Sequence, residues 1–189
     1  ILEKAKQYVV EAKMEQVFEW IDNFLDSGEK LILFCVHKAT VAALQARYKH
    51  SVSITGESSQ RDRDHAVQAF QNDPNTTLFI GNIQAAGVGL TLTAASNVAF
   101  VELAWRPGDQ TQAEDRAHRI GQKNAVTAYY LLAEKTVEEE TYKLLEKKRH
   151  ITEIVTDGKV SDLAFDGSSV TQDLVSLLLA NRKQQMPLQ

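Results

Sequence analysis

Five short apolar runs, separated by segments with helical periodicity, place the strongest constraint on the fold of this chain. The first run lies in the predicted strand 30–36 and is almost uninterrupted, which is typical of a parallel strand buried on both faces. Four further strands are predicted at Ser51–Ile54, Thr77–Ile80, Val98–Val101 and Val126–Leu132. Strands that alternate with helices every 20 to 30 residues indicate βαβ units. The sequence therefore predicts an α/β fold in which a parallel sheet carries helices on both faces.

Helices are predicted at 3–27, at 39–48, after Ser59, and from 137 to about 155. In the first of these, apolar residues recur at spacings of three and four and form one continuous stripe. Ser59 is followed three residues later by Asp62, which is the signature of a capping box at a helix start. The acidic run Glu138–Glu140 stands where the helix dipole favours negative charge, and we interpret it as a solvated face.

Composition limits the class of protein. The chain has 189 residues, which is enough for one domain with a sizeable core and a tail, and its first residue is Ile1, so we expect a piece of a longer protein. The net charge of −4 is not that of a freestanding nucleic-acid binder, so any DNA contact would be local or shared with another domain. The single cysteine, Cys35, excludes an intrachain disulfide and is expected to be a buried strand residue. No apolar run approaches 18 residues, so no membrane partner is expected.

The stretch from Gln112 to Gln122, QAEDRAHRIGQ, carries the first candidate functional residues. Asp109 is expected to cap a helix here and Gly121 to end it. Spacings of four and three then place Gln112, Arg116 and Arg119 on one helical face, where two guanidiniums and an amide suit a phosphate. The spacing alone leaves open a solvated amphipathic helix.

A second candidate is the glycine-bearing stretch from Ala85 to Ala95. Gly87 and Gly89 let the backbone approach a ligand closely and present bare amides to phosphate oxygens, and Thr91 adds a hydroxyl. The alternative is a tight crossover that requires glycine for packing alone.

These stretches resemble motifs of a known family. QAEDRAHRIGQ is similar to motif VI of the SWI/SNF-type DNA-translocating ATPases, a branch of the superfamily-two helicase-like proteins. The block from Glu102 to Gly108 resembles the segment that precedes motif VI, the stretch from Ala85 resembles motif V, and 31–38 resembles motif IV. The whole run is most similar to the HepA-related annealing-helicase branch. This resemblance covers roughly 28–150 and implies a RecA-like helicase C-terminal lobe. The predicted bounds are 28–156 for the lobe, with the N-terminal helix at 1–27 and a loop-rich tail at 157–189.

The resemblance also implies roles for individual residues. Arg116 and Arg119 would be arginine fingers that act on ATP, with Gln112 orienting them or the attacking water. Gly87 and Gly89 would lie near the nucleotide. Contacts to the DNA backbone would come from His37, Lys38, Gly87 and Thr91. One departure is Gln84, which stands where many family members carry an arginine that contacts phosphate.

The phosphate cradle and the magnesium ligands have no counterpart in this sequence. No Gly-x-x-x-x-Gly-Lys-Ser/Thr stretch occurs, and no Asp-Glu-x-His-type stretch accompanies it. The histidines show no metal-ligand spacing, so no metal site is predicted on this chain. ATP and Mg²⁺ are therefore expected to be held mainly by a first RecA-like lobe that precedes Ile1.

The prediction is thus the second motor lobe of an intracellular ATPase that translocates on double-stranded DNA without reading its sequence, and a DNA-bound protein is a further expected partner. Two alternatives stay open. The chain could instead be a lobe of another superfamily-two helicase or of a restriction motor, or it could be a RecA-like interaction module without activity.

Overall fold

A computed structural model describes residues 2–86, 90–104, 107–114 and 125–157, together with Gln172, Asp173 and Ser176. Helices and strands alternate along the described chain after a long first helix. The helices are α1 (Leu2–Leu25), α2 (Lys38–Arg47), α3 (Gln60–Asn72), α4 (Ile83–Ala86), α5 (Pro107–Glu114) and α6 (Val137–Asp157). The strands are β1 (Leu31–Cys35), β2 (Ser51–Ile54), β3 (Leu78–Asn82), β4 (Asn97–Phe100) and β5 (Thr127–Tyr130).

The strands form one sheet in the order β2-β3-β1-β4-β5, and every pairing in it is parallel. β1 is central because it pairs with β3 on one side and with β4 on the other. All five residues of β1 are buried, as an apolar run in the middle of a covered sheet requires. The predicted α/β fold with a parallel sheet is confirmed, and the strand bounds differ from the predicted ones by two residues at most.

Two hydrophobic clusters lie on opposite faces of this sheet. On one face, Phe34 and Phe100 stack with ring centroids 5.6 Å apart, and Phe70 of α3 and Ala113 of α5 join them. On the other face, alternate strand residues such as Leu33 pack with side chains of α1 and α2. Because successive side chains of a strand point to opposite faces, one apolar strand supplies both clusters. Each fully buried Phe or Leu contributes about 1.5 to 3 kcal/mol.

The apolar stripe predicted for the first helix is confirmed, because Val17 and Ile21 are buried against the sheet. The capping box at α3 is also confirmed. Ser59 Oγ accepts from the backbone N–H of Asp62 at 3.2 Å, and the Asp62 carboxylate accepts from the Ser59 N–H at 3.1 Å.

The interpretation of the acidic run as a solvated face is wrong for Glu138. This carboxylate is buried with 3% of its surface exposed and forms an ion pair with Lys13 of α1 at 2.7 Å. Lys13 also donates to the carbonyl of Leu131 at 2.6 Å, and the backbone N–H of Ala133 donates to Glu138 at 3.0 Å. Burial lowers the pKa of Lys13, and the neighbouring Glu138 carboxylate partly opposes this shift. The pair joins the first helix of the chain to the start of α6.

This geometry predicts the cost of breaking the pair. Lys13→Met should lower the free energy of unfolding by about 3 to 5 kcal/mol, because Glu138 would stay buried without its cation. Lys13→Met combined with Glu138→Leu should lose less than the sum of the two single variants, since no charge is then left alone. Urea unfolding of the three variants and the wild type measures these differences. Strictly additive losses would contradict the pair.

Candidate functional site

The carboxyl ends of the parallel strands meet at one edge of the sheet, where ligands of open α/β sheets bind. The segments that leave β2, β3, β1 and β4 lie side by side along this edge, in the order of the strands. Three side chains connect neighbouring segments there, namely Arg63, Asn82 and Glu102. We call these three residues the edge network.

Arg63 of α3 connects the segment after β2 with α4. Its guanidinium donates to the carbonyls of Thr55 at 3.1 Å, Ser58 at 3.1 Å and Ala85 at 2.7 Å. The planar fork of a guanidinium can serve three carbonyls in fixed directions, which a lysine cannot do. Arg63 therefore fixes the segment after β2 against the beginning of the motif V stretch.

Asn82, the last residue of β3, connects α4 with the segment after β1. Its side-chain oxygen accepts from the backbone N–H groups of Gln84 at 3.1 Å and Ala85 at 3.3 Å, which places it at the start of α4. Its side-chain nitrogen donates to the carbonyl of Val36 at 2.6 Å. A single amide thus holds two neighbouring loops.

Glu102 connects the segment after β1 with the segment after β4. Its residue surface is only 3% exposed, and one carboxylate oxygen accepts from the backbone N–H groups of Val36 at 2.7 Å and His37 at 2.9 Å. The other oxygen lies within hydrogen-bonding distance of His37 Nδ1. Glu102 begins the block that resembles the segment before motif VI, but the sequence pattern assigns no role to this residue. The available signal was a carboxylate placed directly after a buried apolar strand.

The predicted DNA contacts have different surroundings in the structure. His37 is half-buried with its ring against Glu102, whereas the Lys38 side chain is 61% exposed and pairs with Glu57 of the segment after β2. The hydrogen bond from Lys38 lowers the pKa of the exposed Glu57 carboxyl. Thr91 is exposed, and Gly87 lies outside the described residues. His37 and Lys38 therefore lie at the carboxyl edge, where the ring of His37 already has a protein partner.

The helix of the QAEDRAHRIGQ stretch is described only over its first part. In α5, Gln112 is exposed, while its neighbour Ala113 is fully buried in the core cluster. The polar and apolar faces of this helix are therefore distinct, as the spacing of the residues predicts. The prediction that Asp109 caps this helix is wrong. The helix begins at Pro107, whose fixed φ suits a first helical position, and Asp109 lies in its first turn.

Several predicted site residues fall outside the described part of the chain. They are Gly87, Gly89, Arg116, Arg119 and the proposed helix end Gly121. The edge network and α5 therefore carry the geometry of the candidate site.

The described part of the chain gives little support for a reactive cysteine, a metal site or a membrane span. Cys35 is fully buried, and this burial raises the pKa of its thiol well above the ordinary value, as expected for a structural strand cysteine. No group of three His, Cys, Asp or Glu side chains that could hold a metal ion occurs within the described ranges. None of the helices in those ranges is long and apolar enough to span a membrane.

Comparison with known proteins assigns the family. Residues 12–121, more than half of the chain, match the helicase conserved C-terminal domain. The chain belongs to this helicase C-terminal domain family. The resemblance to the SWI/SNF-type proteins is confirmed by relatives of that group.

Two curated relatives illustrate the relationship of this helicase C-terminal domain. It is 40% identical over 154 residues to the "DNA annealing helicase and endonuclease ZRANB3" of Homo sapiens, covering 78% of this chain and 14% of the relative. It is 37% identical over 143 residues to the "SWI/SNF-related matrix-associated actin-dependent regulator of chromatin subfamily A-like protein 1" of Xenopus tropicalis, covering 73% of this chain and 15% of the relative. The chain thus spans about one seventh of the length of these relatives.

A solved structure shares the fold of this helicase C-terminal domain. The Sulfolobus solfataricus SWI2/SNF2 ATPase core in complex with double-stranded DNA matches with a TM-score of 0.60 and 30% sequence identity. The match covers 76% of this chain and 31% of that one. The RecA-like character of the predicted lobe is confirmed by this likeness and by the sheet itself.

The edge network predicts a specific sensitivity at Arg63. Arg63→Lys should lower the free energy of unfolding by about 2 kcal/mol, because a lysine loses most of the charge-assisted bonds to the three carbonyls. Arg61→Lys on the exposed side of the same helix is the matched control and should change it little. Chemical unfolding of both variants measures this difference, and equal losses would contradict the assigned role.

Proposed function

We propose that this chain is the second motor lobe of an ATP-dependent translocase that acts on double-stranded DNA. A first RecA-like lobe of the same protein would hold the phosphates of ATP and Mg²⁺. This lobe would complete the nucleotide site with Arg116 and Arg119 and would grip the DNA backbone through the segments at its carboxyl edge. With DNA as a partner, the protein would be intracellular, in the nucleoid or cytoplasm of a bacterium or in the nucleus of a eukaryote.

The observation that carries this proposal is the arrangement of the carboxyl edge. The segments that the family resemblance assigns to DNA and to nucleotide leave β1, β3 and β4, which are adjacent in the sheet. The edge network connects these segments by direct hydrogen bonds of 2.6 to 2.9 Å at Val36 and His37. A rigid edge of this kind is suited to carry a DNA contact and a nucleotide contact in fixed relative positions.

The chemistry of α5 supports a phosphate partner. Gln112 is exposed, and helical spacing predicts Arg116 and Arg119 on the same face. Guanidinium and amide donors match the oxygens of a transferring phosphoryl group, and guanidiniums neutralise the charge that develops there. The Mg²⁺ ligands would come from the first lobe, because this sequence has no Asp-Glu-x-His-type stretch.

The exposed groups at the edge support contact with a phosphate backbone. Lys38 lies at the surface, where its charge pairs with Glu57, and Thr91 is an exposed residue of the motif V stretch. Such contacts position a protein on DNA without reading its sequence. The names of the relatives agree with this partner, since one is called a DNA annealing helicase and the solved relative was obtained with double-stranded DNA. A DNA-bound protein is proposed as the object that translocation displaces.

The proposal predicts that this chain alone will not hydrolyse ATP, because it supplies only one half of a composite site. Steady-state phosphate release from the purified 189-residue chain, with and without double-stranded DNA, should equal the buffer background. The intact protein serves as the positive control. Turnover by the isolated chain would refute the two-lobe assignment.

A second prediction concerns Arg119 in the intact protein. Arg119→Ala should reduce the rate of ATP hydrolysis by about 10³-fold or more, while nucleotide binding largely survives, because an arginine finger acts on the transition state. Arg47→Ala, a surface arginine at the carboxyl end of α2, is the control and should hydrolyse ATP normally. Loss of nucleotide binding in Arg119→Ala would indicate a structural role instead.

Strand displacement separates the proposal from its nearest alternative. A translocase of this group should displace a DNA-bound protein without unwinding a blunt duplex, whereas a strand-separating helicase should release the complementary strand. Both outcomes require ATP, so the Arg119→Ala variant provides the inactive control.

A further inference from the structure

The peptide unit at Val36, directly after β1, is held from both sides by side chains of the neighbouring strands. The Val36 carbonyl accepts from Asn82 at 2.6 Å, and the N–H of the same peptide unit, that of His37, donates to Glu102 at 2.9 Å. The N–H of Val36 itself donates to the same carboxylate at 2.7 Å. Asn82 ends β3 and Glu102 follows β4, and these strands flank β1 in the sheet. The position of this peptide is therefore set by two residues that belong to two other segments of the edge.

Each of the two residues is also fixed at its far end. Asn82 accepts from the N–H groups of Gln84 and Ala85 and so holds the start of α4. Glu102 is followed by Leu103 and Ala104, both buried, in the segment that leads to α5. A shift of the peptide at Val36 would therefore strain the hydrogen bonds at the start of α4 and disturb the buried segment that follows Glu102.

The energetics favour movement of these segments as one unit. Glu102 is a buried carboxylate, and its hydrogen bonds to the backbone replace the solvation that it loses. A displacement that broke these bonds would leave a buried charge without donors, which costs more than the bonds themselves contribute. The network therefore resists separation of the three segments more strongly than apolar contacts of the same size would.

We propose that Asn82 and Glu102 are positioning residues that transmit DNA contact at the segment after β1 and at the motif V stretch to the segment that carries Gln112, Arg116 and Arg119. This inference rests on the proposed function. Neither residue is assigned a contact with DNA or ATP. They keep three loops in fixed register, so that DNA bound to the first two loops accelerates hydrolysis at the third.

The test compares ATP hydrolysis by the intact protein with and without saturating double-stranded DNA. Asn82→Asp keeps the size of the side chain and both acceptor bonds to α4 but removes the donor to Val36. Glu102→Gln keeps the shape and removes the charge. For each variant, the ratio of the hydrolysis rate with DNA to the rate without DNA should fall about 10-fold relative to the wild type, within the usual range of coupling between sites.

Asn97→Asp is the matched control. Asn97 is a buried amide on the same sheet, but it begins β4 at the opposite edge and donates to Glu29 at 2.5 Å. A general loss of stability should affect this variant at least as strongly as Asn82→Asp. Normal stimulation in Asn97→Asp with reduced stimulation in Asn82→Asp supports the positioning role. Equal reduction in both variants overturns it.

Amide hydrogen exchange in the intact protein supplies a readout that does not depend on hydrolysis. Glu102→Gln should speed exchange at Val36 and His37, whose N–H groups donate to this carboxylate, while exchange in α3 stays unchanged. If Glu102→Gln fails to fold, Asn82→Asp decides the question alone. Unchanged DNA stimulation in a folded Asn82→Asp variant overturns the inference.

The two proposals fail in different ways. If Arg119→Ala hydrolyses ATP normally, the proposed function itself is wrong. If Arg119→Ala is inactive while Asn82→Asp and Glu102→Gln keep full stimulation by DNA, only the positioning role is wrong. In the double variant, Asn82→Asp with Glu102→Gln should reduce stimulation by less than the product of the single effects, because both act through the same peptide.

Discussion

The parallel pairing of β1 with β3 and β4 is the constraint on which the rest of the structure depends. The pairing aligns Cys35 with Asn82 and Phe34 with Phe100. One step beyond β1, Val36 therefore lies beside the end of β3, and the same register brings Glu102 opposite it. The hydrogen bonds at the carboxyl edge follow from this register. A shift of one residue in either pairing would turn these side chains to the other face of the sheet.

Buried charges in this lobe are placed where they join elements distant in sequence. Glu102 joins two strand ends, and Glu138 joins α6 to Lys13 of α1. Burial of a charge is costly because it removes solvation, and the same desolvation lowers the pKa of Lys13. Both carboxylates also accept from backbone N–H groups, which offsets part of this cost. The carboxylates of Glu102 and Glu138 fix the geometry of the segments that they join. Apolar side chains would bury the same surface without fixing the direction of a loop.

Local patterns predicted the elements well, whereas long-range contacts were not predictable from them. The apolar runs indicated all five strands because a sheet buried on both faces requires such runs, and the Ser59 capping box depends on two residues three apart. Glu138 was interpreted as solvated because the helix dipole alone explains an acidic residue at a helix start. Its ion-pair partner, however, belongs to α1. Glu102 was missed for the same reason. Asp109 was misjudged as a cap because Pro107 already begins the helix. The roles of Arg116 and Arg119 stay predictions.

The distance in sequence between Lys13 and Glu138 has a consequence for synthesis of the chain on the ribosome. Glu138 follows Lys13 by 125 residues. At a synthesis rate of about 5 to 20 residues per second, Glu138 is therefore added roughly 6 to 25 seconds after Lys13. Until then, docking of α1 on the nascent sheet would bury an ammonium group without its counter-ion. Although α1 precedes the sheet in the sequence, it is therefore expected to be among the last elements of this lobe to reach its final place.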